Sequence, residues 1–133
     1  MEKTNPLVGT KIDKSRIISL EKGKIPPQAV ELEEAVLGAM MIDRKGIDDV
    51  IDVLSADAFY DQKHQEIYAA IYQLFQNSEP IDLVTVSNLL KKNGKLDFVG
   101  GDFFLIRLTQ KVASSAHIEF HARIILQKFI QRK

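Results

Sequence analysis

Two histidines four residues apart are the first feature of this sequence that could support metal binding or catalysis. His117 and His121 would share one face of a helix, with Glu119 between them. A zinc-protease helix needs a His-Glu pair and then, after two intervening residues, the second His, and no third ligand is evident here. We therefore favour a solvent-facing or partner-facing pair over a metal site. His64, at the start of a predicted helix, fits packing or capping better than general-base catalysis.

Other catalytic groupings are no better supported. The glycine-containing pairs at 94–95 and 100–101 belong neither to a G-x-x-x-x-G-K-[ST] loop nor to a G-x-G-x-x-G fingerprint. Asp48, Asp49 and Asp52 follow the spacing of an ordinary helix surface, without a nucleophile and base alongside. The absence of cysteine excludes disulfides, thiolate metal sites and cysteine nucleophiles. The sequence predicts a non-catalytic chain with no catalytic residue, no metal and no cofactor site.

Composition indicates one folded domain preceded by a basic tail. The 133 residues are 45% hydrophobic and 27% charged, which is too apolar for a wholly disordered chain. Residues 1–24 contain six basic and three acidic side chains, so the rest contains 12 basic and 15 acidic ones. We expect a flexible basic leader and a mildly acidic body that is poorly suited to binding duplex DNA. No stretch approaches the roughly 20 uncharged apolar residues of a membrane span, so a cytoplasmic location is expected.

Hydrophobic periodicity predicts helices along the whole body and no strands. A glycine and a Pro-Pro pair at 26–27 mark the entrance to the first helix. The fold class is therefore all-α, with about six helices. The six predicted helices cover 28–41, 47 to about 54, the residues from after Asp61 to about Gln76, 83–92, a short segment after Gly101, and a long segment that continues to Lys133.

Charged and turn-forming residues mark several helix ends. Glu31, Glu33 and Glu34 form an acidic entrance to the first helix, near the positive end of its dipole. Asp82 is the predicted N-cap of the fourth helix, and Asn-Gly at 93–94 is its predicted left-handed stop.

The last predicted helix carries an apolar stripe and has no glycine or proline stop. Ser-Ser at 114–115 offers its N-cap. We expect the chain to be a fragment cut inside this helix, and we expect the stripe either to contact another chain or to fold back on the rest of the domain. The stripe consists of Ile118, Ala122, Ile125, Leu126 and Phe129.

An ordered series of short motifs resembles the N-terminal domain of DnaB-type replicative DNA helicases. In that family a Pro-Pro pair precedes a Glu-rich helix and a Val-Leu-Gly. The motifs keep the family's usual spacing, and the resemblance extends from Ile25 to about Lys133. They are residues 25–40, 57–60, His64 with Ile67, 80–86, 94–101 and 114–118. Two departures are His117, where the family commonly has Asn, and Phe104, near which a Tyr is frequent.

This resemblance implies a non-catalytic collar that supports ring assembly and primase recruitment. Residues 25–112 would form a helical head and 113–133 the first arm of a truncated helical hairpin, with 1–24 outside the resemblance. Six copies would form a ring, as a trimer of dimers, above motor domains that use ATP and Mg. Primase, a helicase loader and further copies of the chain are the implied partners, with DNA bound only through the full ring. Glu31 and Phe104 match family positions that would face primase.

Two other interpretations compete with the collar. The chain could be a free-standing helical adaptor, or a metal hydrolase built on His117 and His121. A reading frame that continues through a linker into a G-x-x-x-x-G-K-[ST] loop would distinguish the helicase from the adaptor.

Overall fold

The computed structural model describes residues 27–111 and 117–133, apart from the side chains of residues 27 and 28. Among those residues the regular elements are all helices and there is no strand, which confirms the all-α prediction. The leader 1–24 and the predicted N-cap at 114–115 lie outside the described residues. The described part of the chain contains seven helices: α1 Pro27–Ile42, α2 Arg44–Ile51, α3 Gln62–Gln76, α4 Leu83–Lys92, α5 Leu96–Val99, α6 Gly101–Gln110 and α7 Ile118–Arg132, with a 3-10 turn at Ala56–Ala58 between α2 and α3.

Helix α4 has the bounds and the caps that its sequence predicts. The Asp82 carboxylate accepts the Thr85 N–H at 2.9 Å, and the Thr85 hydroxyl accepts the Asp82 N–H at the same distance. This reciprocal capping box satisfies two N–H groups that the helix itself leaves free. Gly94 has φ +73°, the left-handed conformation expected after the last turn.

Two helix boundaries differ from the sequence prediction. Helix α2 begins at Arg44 instead of Ile47, because the Asp43 carboxylate accepts the Lys45 N–H at 3.0 Å and caps the helix there. Helix α2 also ends at Ile51, before Leu54. The short helix α5 was not predicted, since four residues are too few to show a period.

The acidic entrance to α1 is also corrected. Because α1 begins at Pro27, no acidic residue lies in its first turn. Glu31, Glu33 and Glu34 lie in the second turn, where the dipole effect has largely faded.

Helix α1 forms the centre of the core. Its Val36, Leu37 and Met40 are fully buried, and the helix packs against α2, α3, α6 and α7. Helix α7 runs back along α1. It starts beside Gly46, where an added Cβ would lie 3.1 Å from the Ile118 side chain. It ends where Arg132 donates to the Ala58 carbonyl at 3.0 Å. Among the described helices, none is both long and apolar enough to span a membrane.

A buried polar cluster joins α1 to α3. Glu33 is 2% exposed and His64 is fully buried. Glu33 Oε1 lies 2.7 Å from His64 Nδ1, and Glu33 Oε2 accepts the Tyr60 N–H at 2.6 Å. The Asp61 N–H also points at Oε1, at 3.4 Å. We call these four residues the Glu33 cluster. His64 is therefore a packed histidine, as predicted.

The second nitrogen of His64 faces another carboxylate of α1. His64 Nε2 has no hydrogen-bond partner among the described residues, and Glu34 Oε2 lies 3.8 Å away. Glu34 also pairs with Lys111, just after α6. Glu33 and Glu34, which are adjacent on α1, thus contact His64 of α3, and Glu34 also contacts Lys111 at the end of α6.

We predict that Glu33→Gln destabilises the fold by about 3 kcal/mol, because the neutral amide keeps one acceptor oxygen where the two carboxylate oxygens of Glu33 accept the Tyr60 N–H and face His64 Nδ1. Urea unfolding followed by circular dichroism measures the change in the free energy of unfolding. The matched control is Glu31→Gln, on the exposed side of the same helix, with an expected change within about 0.5 kcal/mol. Equal changes in the free energy of unfolding for Glu33→Gln and Glu31→Gln would show that the Glu33 cluster adds no stability beyond that of an exposed glutamate.

Tyr68 gives a second prediction, for alkaline pH. Its buried hydroxyl donates to the Leu54 carbonyl at 2.6 Å. Burial, and secondarily Tyr72, raises the pKa of Tyr68. The protonated hydroxyl therefore stabilises the fold fully below about pH 10, and this contribution is lost as pH rises further. We expect Tyr68→Phe to be less stable than wild type by about 1 kcal/mol at pH 7. Unfolding curves from pH 7 to 11 should show that the difference in free energy of unfolding between wild type and Tyr68→Phe shrinks above about pH 10. A difference that stays constant over this range would contradict a stabilising role for the protonated hydroxyl.

Candidate protein-interaction surface

The two residues predicted to contact a partner lie in different environments. Glu31 is exposed on α1. Phe104, on α6, is half-buried, and its ring stacks on His64 with a centroid distance of 6.2 Å and an interplanar angle of 12°. The Lys63 and Arg107 cations each lie 5.9 Å from the centre of the Phe104 ring. Part of the Phe104 ring is therefore fixed by the Glu33 cluster, and part is accessible from solvent.

A glycine makes room for Phe104 at the junction of α5 and α6. Gly100 has φ +109°, and an added Cβ would lie 2.9 Å from the Phe104 Cβ. A larger residue would therefore be strained and would collide with Phe104. From the sequence, the glycine pair at 100–101 was excluded as a phosphate-binding loop and belonged to a family motif, but this contact with Phe104 was not predicted.

Exposed apolar side chains on α4 and α6 form a second surface, which was not predicted from the sequence. Phe103 is 73% exposed, Val84 64% and Ile106 38%. A groove of about 310 Å³ separates the two helices, and a hydrogen bond from Ser87 to Asp102 spans it. We call Val84, Phe103 and Ile106 the α4–α6 surface. Exposed apolar groups beside polar ones are typical of protein-binding surfaces.

A sequence signal for this surface existed in the Phe103–Phe104 pair. Adjacent residues of a helix point about 100° apart, so both rings cannot pack equally into one core. In α6 the fully buried positions are Leu105 and Leu108, which turns Phe103 outward and leaves Phe104 at the edge.

The apolar stripe of α7 lies against the head. Ile118, Ala122 and Ile125 are buried there, while Leu126 and Phe129 are partly buried. The buried three are not accessible to another chain in this arrangement, and a self-association role for the stripe stays a prediction. The outer face of α7 presents Phe120, 64% exposed, and Ile130, 60% exposed.

The histidine pair has little around it that could complete a metal site. His117 is exposed and precedes α7, whereas His121 lies within α7 against the ring of Phe120. Glu119 is paired with Arg123 at 2.9 Å. The described part of the chain contains no group of three His, Cys, Asp or Glu residues placed to hold a metal ion.

Comparisons with known proteins agree on one family. The sequence model described as DnaB-like helicase N-terminal domain matches residues 25–127. The chain is 44% identical over 128 residues to the replicative DNA helicase DnaB of Rhodothermus marinus, which covers 95% of this chain and 14% of that protein. It is 39% identical over 110 residues to the replicative DNA helicase DnaC of Bacillus subtilis, covering 83% of this chain and 24% of the relative. The chain thus spans a quarter or less of these relatives.

A solved structure shows the same fold. The crystal structure of the N-terminal domain of DnaB helicase from Mycobacterium tuberculosis matches with a TM-score of 0.74 at 36% identity, over 76% of this chain and 72% of that one. In DnaB helicases the N-terminal domain is the non-catalytic part, and the ATPase lies in the C-terminal domain. The family match over residues 25–127 and the shared fold together show that this chain belongs to the DnaB-like helicase N-terminal domain family.

Proposed function

We propose that this chain is the non-catalytic collar of a hexameric replicative DNA helicase, and that it supports ring assembly and recruits primase during DNA replication. The family match over residues 25–127 is the observation that carries the proposal. In the whole protein, ATP and Mg would act in the C-terminal motor, and DNA would be bound through the assembled ring in the cytoplasm. A helicase loader is a further proposed partner.

The proposed division of labour follows the chain. Residues 25–112 form the head that presents surfaces to partners, and residues 113–133 form the first arm of a hairpin that joins neighbouring copies. Residues 1–24 form a leader outside both parts. The packing of α7 along α1 supports a rigid attachment of the arm to the head, because Ile118, Ala122 and Ile125 are buried there.

The exposed side chains of the head favour protein contact over nucleic-acid contact. Residues 25–133 contain more acidic than basic side chains, 15 against 12, whereas phosphate binding requires clustered lysine and arginine. The α4–α6 surface instead offers large apolar groups with a polar rim, which is the usual anatomy of a protein interface. Phe103 has the aromatic side chain that often anchors such an interface.

The same surface would also serve a free-standing helical adaptor, which is the second candidate. Sequencing the gene beyond codon 133 separates the two. A linker followed by G-x-x-x-x-G-K-[ST] supports the helicase collar, and a stop codon with no such loop supports the adaptor.

We predict that Phe103→Ala and Phe104→Ala each weaken binding to the helical domain of the cognate primase by about tenfold or more, because aromatic anchors supply much of the energy of an interface. Isothermal titration calorimetry measures the dissociation constants. Glu31→Lys should mainly change the association rate and its dependence on salt, which stopped-flow measurements report.

The two phenylalanines control for each other in this experiment. Phe104→Ala removes the ring stacked on His64 and should lower the melting temperature, whereas Phe103→Ala removes an exposed ring and should not. Unchanged primase affinity in both folded variants would show that neither Phe103 nor Phe104 anchors primase. No binding by wild type, even with the second hairpin arm restored, would refute primase recruitment.

We predict that the stripe residue Leu126 contributes to self-association, because it is one of the two stripe residues that are only partly buried against the head. Leu126→Asp should weaken dimerisation by about tenfold, or about 1.4 kcal/mol, in sedimentation over a concentration series. Phe120→Asp, on another face of α7, is the matched control and should dimerise like wild type. Melting curves come first, and Leu126→Ala replaces Leu126→Asp if the acid unfolds the chain. If Phe120→Asp weakens dimerisation more than Leu126→Asp does, the contact between copies lies on the outer face of α7.

A further inference from the structure

Two cationic side chains lie beside the ring of Phe104. Lys63 precedes His64 on α3, and Arg107 lies one turn after Phe104 on α6. Both are exposed, and the cation of each lies 5.9 Å from the centre of the Phe104 ring. Within residues 27–111 and 117–133, neither cation forms an ion pair. We call Lys63, Phe104 and Arg107 the Phe104 site.

Most other charged groups on the helices around the Phe104 site already have a partner within the head. The contacts are Glu33 with His64, Glu34 with Lys111, Glu66 with Lys95, Asp61 with the Lys63 N–H, and Asp102 with Ser87. Glu31 on α1 and Asp97 on α5 are exposed acids of the same helices. In the described part of the chain, the positive charges of Lys63 and Arg107 therefore remain without a carboxylate beside the Phe104 ring.

Arg107 adjoins both of the phenylalanines that are predicted to anchor a partner. It lies three residues after Phe104 and four after Phe103, and side chains at these spacings are neighbours on a helix surface. A partner that covers both rings must therefore also remove the Arg107 guanidinium from water. Burial of this cation without an acceptor is strongly unfavourable, whereas a carboxylate accepts two parallel hydrogen bonds from it. Apolar contact with the two rings thus requires a carboxylate on the partner opposite Arg107.

The charges around the site favour an acidic protein segment over a nucleic-acid strand. A strand carries a phosphate at every nucleotide, so it binds to a series of cations. Carboxylates on the surrounding helices, including those of Glu31, Asp97 and Asp102, would repel the phosphates beyond the Phe104 site. A helix of a protein partner can instead place one Asp or Glu next to apolar side chains three or four residues away.

We propose that the Phe104 site recognises an acidic side chain on an apolar helix face of primase, an inference that rests on the recruitment of primase proposed above. Arg107 donates two hydrogen bonds to the carboxylate, and Lys63 adds a second positive charge beside it. Phe103 and Phe104 contact the apolar side chains next to the carboxylate. The two phenylalanines then supply apolar contact, and the two cations determine which partner fits.

Calorimetric titration of the 133-residue protein with the helical domain of the cognate primase tests this recognition. Arg107→Gln should raise the dissociation constant about tenfold, which is about 1.4 kcal/mol. Arg107→Lys should recover part of the loss, because lysine keeps the charge without the planar fork. Lys63→Gln should raise the dissociation constant about threefold and weaken its dependence on salt. The matched control is Arg44→Gln, exposed at the start of α2, which packs against α1 and α7; it should bind like wild type.

Charge exchange then identifies the carboxylate. Each Asp and Glu of the primase domain is replaced singly by Lys and titrated against Arg107→Glu and against wild type. One replacement should restore at least about tenfold of the affinity that Arg107→Glu loses, and the same replacement should weaken binding to wild type.

The outcomes separate this inference from primase recruitment itself. If wild type binds primase and Arg107→Gln binds as tightly as Arg44→Gln does, recognition of a carboxylate is wrong and recruitment stands. If wild type does not bind primase, both are wrong. Binding of single-stranded oligo-dT that Arg107→Gln abolishes would assign the site to nucleic acid. Weaker self-association of Arg107→Gln in sedimentation, with unchanged primase affinity, would assign it to a second copy of the chain. Either result would overturn the inference.

Discussion

The buried carboxylate of Glu33 is the constraint on which the arrangement of the head depends. A charge removed from water must be matched by hydrogen-bond donors, or its burial is too unfavourable for the fold to tolerate. Here the donors are the imidazole of His64 and the main-chain N–H groups of Tyr60 and Asp61. They fix the start of α3 against the second turn of α1.

The Glu33 cluster also positions a partly exposed residue, Phe104. Its ring lies on the His64 imidazole, and Gly100 leaves the space that this contact requires. An exposed edge of Phe104 is therefore held by a buried polar network and by a backbone conformation that favours glycine. The neighbouring Phe103 has no such support and projects into solvent. The head consequently offers one aromatic ring that is held by packing and one that is largely exposed.

The apolar surfaces of the head are divided between internal and external uses. Three of the five stripe residues of α7 complete the core against α1 and α2, which leaves α7 attached to the head along its length. The α4–α6 surface and the outer face of α7 are left exposed.

The sequence by itself determined the features that depend on neighbouring residues. The all-helical class, the bounds of α4 and the caps at Asp82 and Gly94 follow from signals within a few positions of each other, and the ordered motifs indicated the family. Only the tertiary structure decided the role of Glu33, which the sequence assigned to a helix dipole, because its partners lie 27 to 31 residues away. It also decided which of Phe103 and Phe104 is exposed and which side of α7 is covered. Periodicity shows that a helix has an apolar face, but the element that covers this face is set by packing between distant parts of the chain.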